Sequence, residues 1–154
     1  IPIGAESGLS DVFEIKEGFC YGHDWEGMDK NHEFENGLQG PNMWPRNTPS
    51  HIKQKLMNWY NFSNSVAHGV SKGIAQALNK NNDYFDDMLE NGEQISIMRL
   101  FRYLNPTGYE HIGKDKARLG SSPHRDWHFL TVILQDDSNR AGGGLEIEKD
   151  GFWY

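Results

Sequence analysis

The chain has 154 residues, enough for one domain with a real core and too few for two ordinary ones. Fifteen basic residues against twenty-two acidic ones leave a formal charge of −7, which argues against a nucleic-acid binder that must displace counterions with a basic face. Aromatics at 12% and charged residues at 24% argue against a disordered chain although hydrophobic residues are only 36%, and no apolar run approaches the ~18 residues of a membrane span. Cys20 is the single cysteine, which excludes an internal disulfide and points to a reducing, cytoplasmic setting.

Ile1-Pro2-Ile3-Gly4 does not begin with Met and does not resemble a signal peptide, while Gly151-Phe152-Trp153-Tyr154 stops on an aromatic run. Both ends lead us to expect a piece of a longer polypeptide. Residues 11–48 show little periodicity, and Gly18, Gly22, Gly27, Gly37, Gly40, Pro41 and Pro45 punctuate them, predicting a long loop that wraps a core. Thr48 as N-cap and Pro49 at the first helical position predict a helix start. From Ser50 to about Leu78, Ile52, Leu56, Trp59, Val66, Val70, Ile74 and Ala77 fall on one apolar stripe at helical spacing. Asn79 to Asn82 break that helix, and Asp83 to Glu90 predict a short second one stopped by Asn91-Gly92.

The pattern then changes. Ile95 to Leu104 read as a strand with Phe101 and Tyr103 on one face and Leu100 and Arg102 on the other, ended by the turn Asn105-Pro106-Thr107-Gly108. A polar stretch, Tyr109 to Ser122, precedes a second apolar strand, Phe129 to Gln135, and a glycine-rich loop from Asp136 to Gly144. Leu145 to Glu148 and Phe152 to Tyr154 read as hairpin partners around Lys149-Asp150-Gly151. The chain thus divides into an N-terminal wrapping segment (1–50), a helical part (51–93) and the first strands of a β-rich core (94–154), all within one domain.

Chemistry-bearing residues concentrate in Ser121-Ser122-Pro123-His124-Arg125-Asp126-Trp127-His128. An H-x-D pair at the mouth of a strand sends both side chains to one side, because strand side chains alternate with period two. An imidazole and a carboxylate aimed at one point supply two corners of the two-His, one-carboxylate triad that holds Fe(II). The tripeptide alone is a weak signal. A zinc-protease helix is excluded because Arg125 occupies the place of the required glutamate, and a kinase catalytic loop because Thr131 stands where its asparagine must be. Asp136-Asp137 reads as a turn former rather than a cation site. Gly142-Gly143-Gly144 lacks the spacing of a dinucleotide loop. The histidines at 23, 32, 51, 68 and 111 read as polar surface residues.

The surroundings of the pair are more specific. His124-Arg-Asp126-Trp-His-Phe-Leu-Thr-Val-Ile-Leu-Gln135-Asp136, followed by Gly143-Gly144-Leu145-Glu146-Ile147, resembles the core signature of the isopenicillin N synthase-like oxygenases. Upstream, Met98-Arg99-Leu100-Phe101-Arg102-Tyr103, Lys16-Glu17-Gly18-Phe19 and Leu38-Gln39-Gly40-Pro41-Asn42-Met43-Trp44-Pro45 resemble further segments of that family, in order, across most of the chain.

The resemblance implies an α+β protein: a double-stranded β-helix, or jelly roll, incomplete here and preceded by a long loop and a long helix. It implies Fe(II) as cofactor, 2-oxoglutarate as co-substrate and a small-molecule substrate, with His124 and Asp126 as metal ligands. Tyr103, and with it Phe101, would line the pocket for co-substrate or substrate; an ordinary half-buried strand tyrosine is the competing reading. The family pattern also requires a later histidine and an R-x-S segment. No histidine follows His128 and the last arginine is Arg140, so both are expected beyond Tyr154, and His128 belongs to the strand entry rather than to the ligand set. Two alternatives stay open: an iron oxidase that does not use 2-oxoglutarate, and a non-catalytic oxygenase-like binding or structural subunit with a protein partner in a larger assembly.

Overall fold

A computed structural model describes residues 12–25, 39–90, 95–105, 107–111, 115, 117–136 and 144–154. The expected helix stop at Asn91-Gly92, Pro106 in its turn, His32, and Asp137, Gly142 and Gly143 lie outside the described residues. The architecture is α+β: a long helix beside short strand pairs.

The expected wrapping loop contains two strands. β1 (Val12–Glu14) pairs in parallel with β4 (Ala117–Leu119), and β2 (Lys16–Gly22) pairs antiparallel with β3 (Ile97–Tyr103), from Lys16↔Tyr103 to Gly22↔Ile97. Ile15 joins the two ladders: its amide donates to the Leu119 carbonyl at 2.8 Å and its carbonyl accepts from the Leu104 amide at 3.1 Å. Two of the glycines that suggested a loop, Gly18 and Gly22, serve packing instead. A Cβ on Gly18 would lie 2.5 Å from Cδ1 of Phe101 and 2.9 Å from the Leu100 carbonyl oxygen, so glycine lets β2 approach β3. β3 is shorter than the expected Ile95 to Leu104, but Phe101 and Tyr103 do share a face, their ring centroids 6.0 Å apart.

α1 runs from Ser50 to Ala77, 28 residues. Its start differs from the expectation by one position. Pro49 is the N-cap residue, in extended conformation, and its carbonyl accepts from the amides of Ile52 and Lys53. Thr48 does not cap; its hydroxyl donates to the Pro45 carbonyl at 2.7 Å. The end falls where the Asn79 to Asn82 break was expected, and Asn79 takes a left-handed conformation there. With φ at 54°, Asn79 lets the Lys80 amide reach the Ala75 carbonyl and its own amide reach the Gln76 carbonyl, both at 2.9 Å. The second helix, α2 (Asp86–Glu90), is shorter than expected because residues 82–85 form turns.

The buried side of α1 is not centred on the apolar stripe. Tyr60, Ser71 and Ala75 are its buried residues, one position on from Trp59, Val70 and Ile74, which turns the covered face by about 100°. Ile52, Trp59, Val66 and Val70 remain more than a third exposed. Polar anchors set this orientation. Tyr21 donates to the Leu56 carbonyl at 3.1 Å, Tyr60 to the Ser96 carbonyl at 3.4 Å, and Ser96 to Asn64 Oδ1 at 2.7 Å. His68 is not a free surface residue: its Nε2 lies 2.8 Å from Asp86 Oδ1, joining α1 to α2.

The expected strand Phe129 to Gln135 has no ladder among the described residues, and most of its side chains are exposed. Strand composition gives no strand without a partner within hydrogen-bonding distance; Phe129 is held with its ring 4.8 Å from Phe85, and Thr131 by its hydroxyl on Asp126. The C-terminal hairpin forms as expected, with Lys149 in the strand rather than the turn. β5 (Glu148–Lys149) pairs with β6 (Phe152–Trp153), and Ile147 and Tyr154 exchange both backbone bonds beyond it. Asp150 and Gly151, at φ of 54° and 82°, make the two-residue turn whose twist suits paired strands. These are three two-stranded sheets among the described residues, with no closed barrel. No helix there is long and apolar enough to cross a membrane.

Candidate metal centre

β4 leads through Gly120-Ser121-Ser122-Pro123 to His124, so the β1 pairing fixes where the H-x-D segment starts. The two side chains converge: His124 Nε2 lies 3.2 Å from Asp126 Oδ1. Each is also held from behind. The Ser122 carbonyl, an acceptor only, lies 2.7 Å from His124 Nδ1, so that nitrogen carries a hydrogen and Nε2 is the atom turned toward Asp126. The Thr131 hydroxyl donates to Asp126 Oδ2 at 2.7 Å and leaves Oδ1 facing the imidazole. That hydrogen bond, with smaller contributions from His124 and His128, holds the Asp126 carboxyl below its ordinary value of 3.8 and keeps it anionic.

An imidazole nitrogen and a carboxylate oxygen facing one point, each with the other polar atom of its side chain engaged, fit a divalent metal of intermediate hardness once the nitrogen is free of its proton. His124 and Asp126 could supply two ligands. Among the described residues no group of three or more His, Cys, Asp and Glu is arranged to hold a metal, and His128 stacks on Trp127 with ring centroids 4.0 Å apart. Side-chain exposures of 60% for His124 and 43% for Asp126 leave the pair accessible to a third donor.

Tyr103 and Phe101 pack at the flank of this segment. The Tyr103 ring lies against Gly120, where a Cβ would come within 2.8 Å of Cδ1, and it is 55% exposed. Phe101 is half-buried, with Lys16 Nζ 5.0 Å and the Arg99 guanidinium 5.9 Å from its ring centroid. Sequence reasoning assigned no site role to Glu14, Lys16 or Thr131, and it named Ser122 only as part of the cluster around His124. Glu14 and Lys16 sat in the supposed loop. Thr131 could have been found, because five residues of chain after a carboxylate are enough to fold a hydroxyl back onto it.

No family model and no solved structure matches the chain. Curated relatives do. Clavatol oxidase claD of Penicillium crustosum is 31% identical over 162 aligned positions that cover 100% of this chain and 45% of the relative. A 2-oxoglutarate-dependent dioxygenase of Didymella fabae is 30% identical, with 94% of this chain and 43% of the relative covered. The 2-oxoglutarate-Fe(II) type oxidoreductase hxnY of Emericella nidulans is 28% identical, with 87% and 36% covered. Over most of its length the chain is thus similar to proteins named as 2-oxoglutarate- and Fe(II)-dependent oxidoreductases. It spans less than half the length of these relatives.

Proposed function

We propose that the protein is a non-haem Fe(II)- and 2-oxoglutarate-dependent oxygenase or oxidase acting on a small organic molecule, with His124 and Asp126 as two of three iron ligands. The observation that carries the reading is the 3.2 Å approach of His124 Nε2 to Asp126 Oδ1, with Ser122 and Thr131 fixing which atom of each faces the other. The relatives' names supply the chemical class, and that of clavatol oxidase names a small-molecule substrate for that protein.

When bound, Fe(II) with 2-oxoglutarate supplies the oxidant that attacks a substrate C–H bond. The residues of this chain hold and orient. His124 donates Nε2 and keeps its proton on Nδ1, Asp126 contributes one anionic oxygen, and Tyr103 and Phe101 line the approach for co-substrate or substrate. A later histidine and a 2-oxoglutarate-binding arginine, supplied by sequence beyond Tyr154 within a completed jelly roll, would finish the centre. Both ligands must be free of protons to bind, so acid weakens the site.

The test is anaerobic Fe(II) binding and oxygen-dependent conversion of 2-oxoglutarate to succinate by the full-length protein. We expect both in the wild type and neither in His124→Ala. Iron binding unchanged by His124→Ala would overturn the ligand assignment, and iron binding without 2-oxoglutarate binding would favour the oxidase that uses iron and oxygen alone.

A further inference from the structure

We infer that Glu14, together with Lys16, is a positioning residue for His124, fixing through Ser122 both the direction and the tautomer of the imidazole. This rests on the metal role proposed for His124. Glu14 and Lys16 are 3% and 6% exposed and form an ion pair of 2.7 Å. A buried pair of this kind brings little net stability over an apolar pair of similar volume, so its worth must be sought in what else the two charges hold. Both reach across to one short segment. Glu14 Oε1 accepts the Ser122 amide at 2.6 Å, and Lys16 Nζ donates to Ser121 Oγ at 3.4 Å.

Ser122 is itself 5% exposed, and its carbonyl accepts the Nδ1 hydrogen of His124 at 2.7 Å. The path therefore runs from Glu14 to the Ser122 amide, then from the Ser122 carbonyl to Nδ1, leaving Nε2 toward Asp126. Pro123, with its fixed φ, stands between the anchored serine and the histidine and limits how the chain can leave Ser122. Without this anchoring, a ring that is 60% exposed keeps only the Asp126 contact at 3.2 Å to choose its rotamer, and that contact favours a hydrogen on Nε2.

Two paired substitutions in the full-length protein separate the hydrogen bond from the charge. Glu14→Gln with Lys16→Met keeps an acceptor for the Ser122 amide and leaves no lone buried charge; Glu14→Leu with Lys16→Met removes the acceptor as well. The readouts are Mn(II) affinity by calorimetry and the His124 tautomer by nitrogen-15 NMR of the metal-free protein. We expect the Gln/Met pair to bind Mn(II) within about twofold of wild type. The Leu/Met pair should bind about 10- to 100-fold more weakly, with His124 shifting from the Nδ1–H to the Nε2–H form. A folded Leu/Met variant with wild-type affinity and tautomer overturns the inference. If that variant does not fold, Glu14→Asn with Lys16→Met, too short to reach the Ser122 amide, is read in the same way. Mn(II) binding unchanged in His124→Ala would instead sink the metal reading, and the tautomer would still report whether Glu14 positions the ring.

Discussion

Asn42 grips Gly22 with both ends of its amide: Oδ1 accepts the Gly22 N–H at 2.8 Å and Nδ2 donates to the Gly22 carbonyl at 3.0 Å. One side chain thus takes the place of a neighbouring strand at the end of β2. Two residues on, the Trp44 ring lies 5.7 Å from Phe19 and 5.6 Å from Tyr21, so the same segment covers the β2 aromatics. Asn42→Ala leaves both backbone groups of Gly22 without that partner, and we expect a loss of about 1–3 kcal/mol. Urea denaturation measures it; an unmoved midpoint would show that water replaces the side chain at no cost.

Gly18→Ala tests the close approach of β2 to β3. The added methyl meets Phe101, which can turn, and the Leu100 carbonyl at 2.9 Å, which cannot without shifting the ladder. We expect about 1–3 kcal/mol of destabilisation, seen as a lower melting temperature. Gly69→Ala is the control: no atom lies within 4 Å of the added group, and alanine favours the helix.

The Glu14 carboxyl gives the fold an acid limit. Burial works against its charged form, but hydrogen bonds from Lys16 and Ser122, with the Lys16 charge, together outweigh it and hold the carboxyl below its usual value of 4.5. A folded-state value below the unfolded one means that the stabilisation is complete above 4.5 and is lost as pH falls through the lowered value. Chemical denaturation from about pH 6 down to about pH 3 should show this loss in the wild type. Replacing Glu14 by Gln and Lys16 by Met should flatten the slope in that window.

Thr131 is expected to act on Asp126 without touching the imidazole. Its hydroxyl favours the carboxylate, so Thr131→Val should raise the Asp126 titration midpoint toward 3.8, as followed by carbon-13 NMR of the carboxyl. No movement would mean that solvent supplies an equivalent hydrogen bond in the folded protein.

The comparison of sequence and structure turns on range. α1 was legible because its apolar repeat and the Asn79 stop are local, and the Asp150-Gly151 hairpin because two adjacent residues with positive φ suffice to turn the chain. β1 and β2 were hidden because Gly18 and Gly22 carry the same sequence signal whether they break a strand or let it approach another. Residues far along the chain distinguish the two cases: Phe101 and Leu100 meet Gly18, and Ser96 meets Gly22. The face of α1 was misjudged because Tyr21, Ser96 and Asp86 choose it through polar contacts that a hydrophobic count does not weigh. At the candidate site, His124 and Asp126 stood out by type and spacing. Glu14 did not, because it meets Ser122 across 108 residues.

Ile15 carries one further consequence. Its amide serves one ladder and its carbonyl another, so this point of the chain is a junction with no slack in either direction. Inserting a single residue between Val12 and Phe13 would deliver Phe13 and Ile15 to the seats of the acid and the base, and Glu14 to the seat of Ile15. Across related proteins, length in this stretch should therefore be inherited more strictly than residue identity, with gaps in alignments falling outside it.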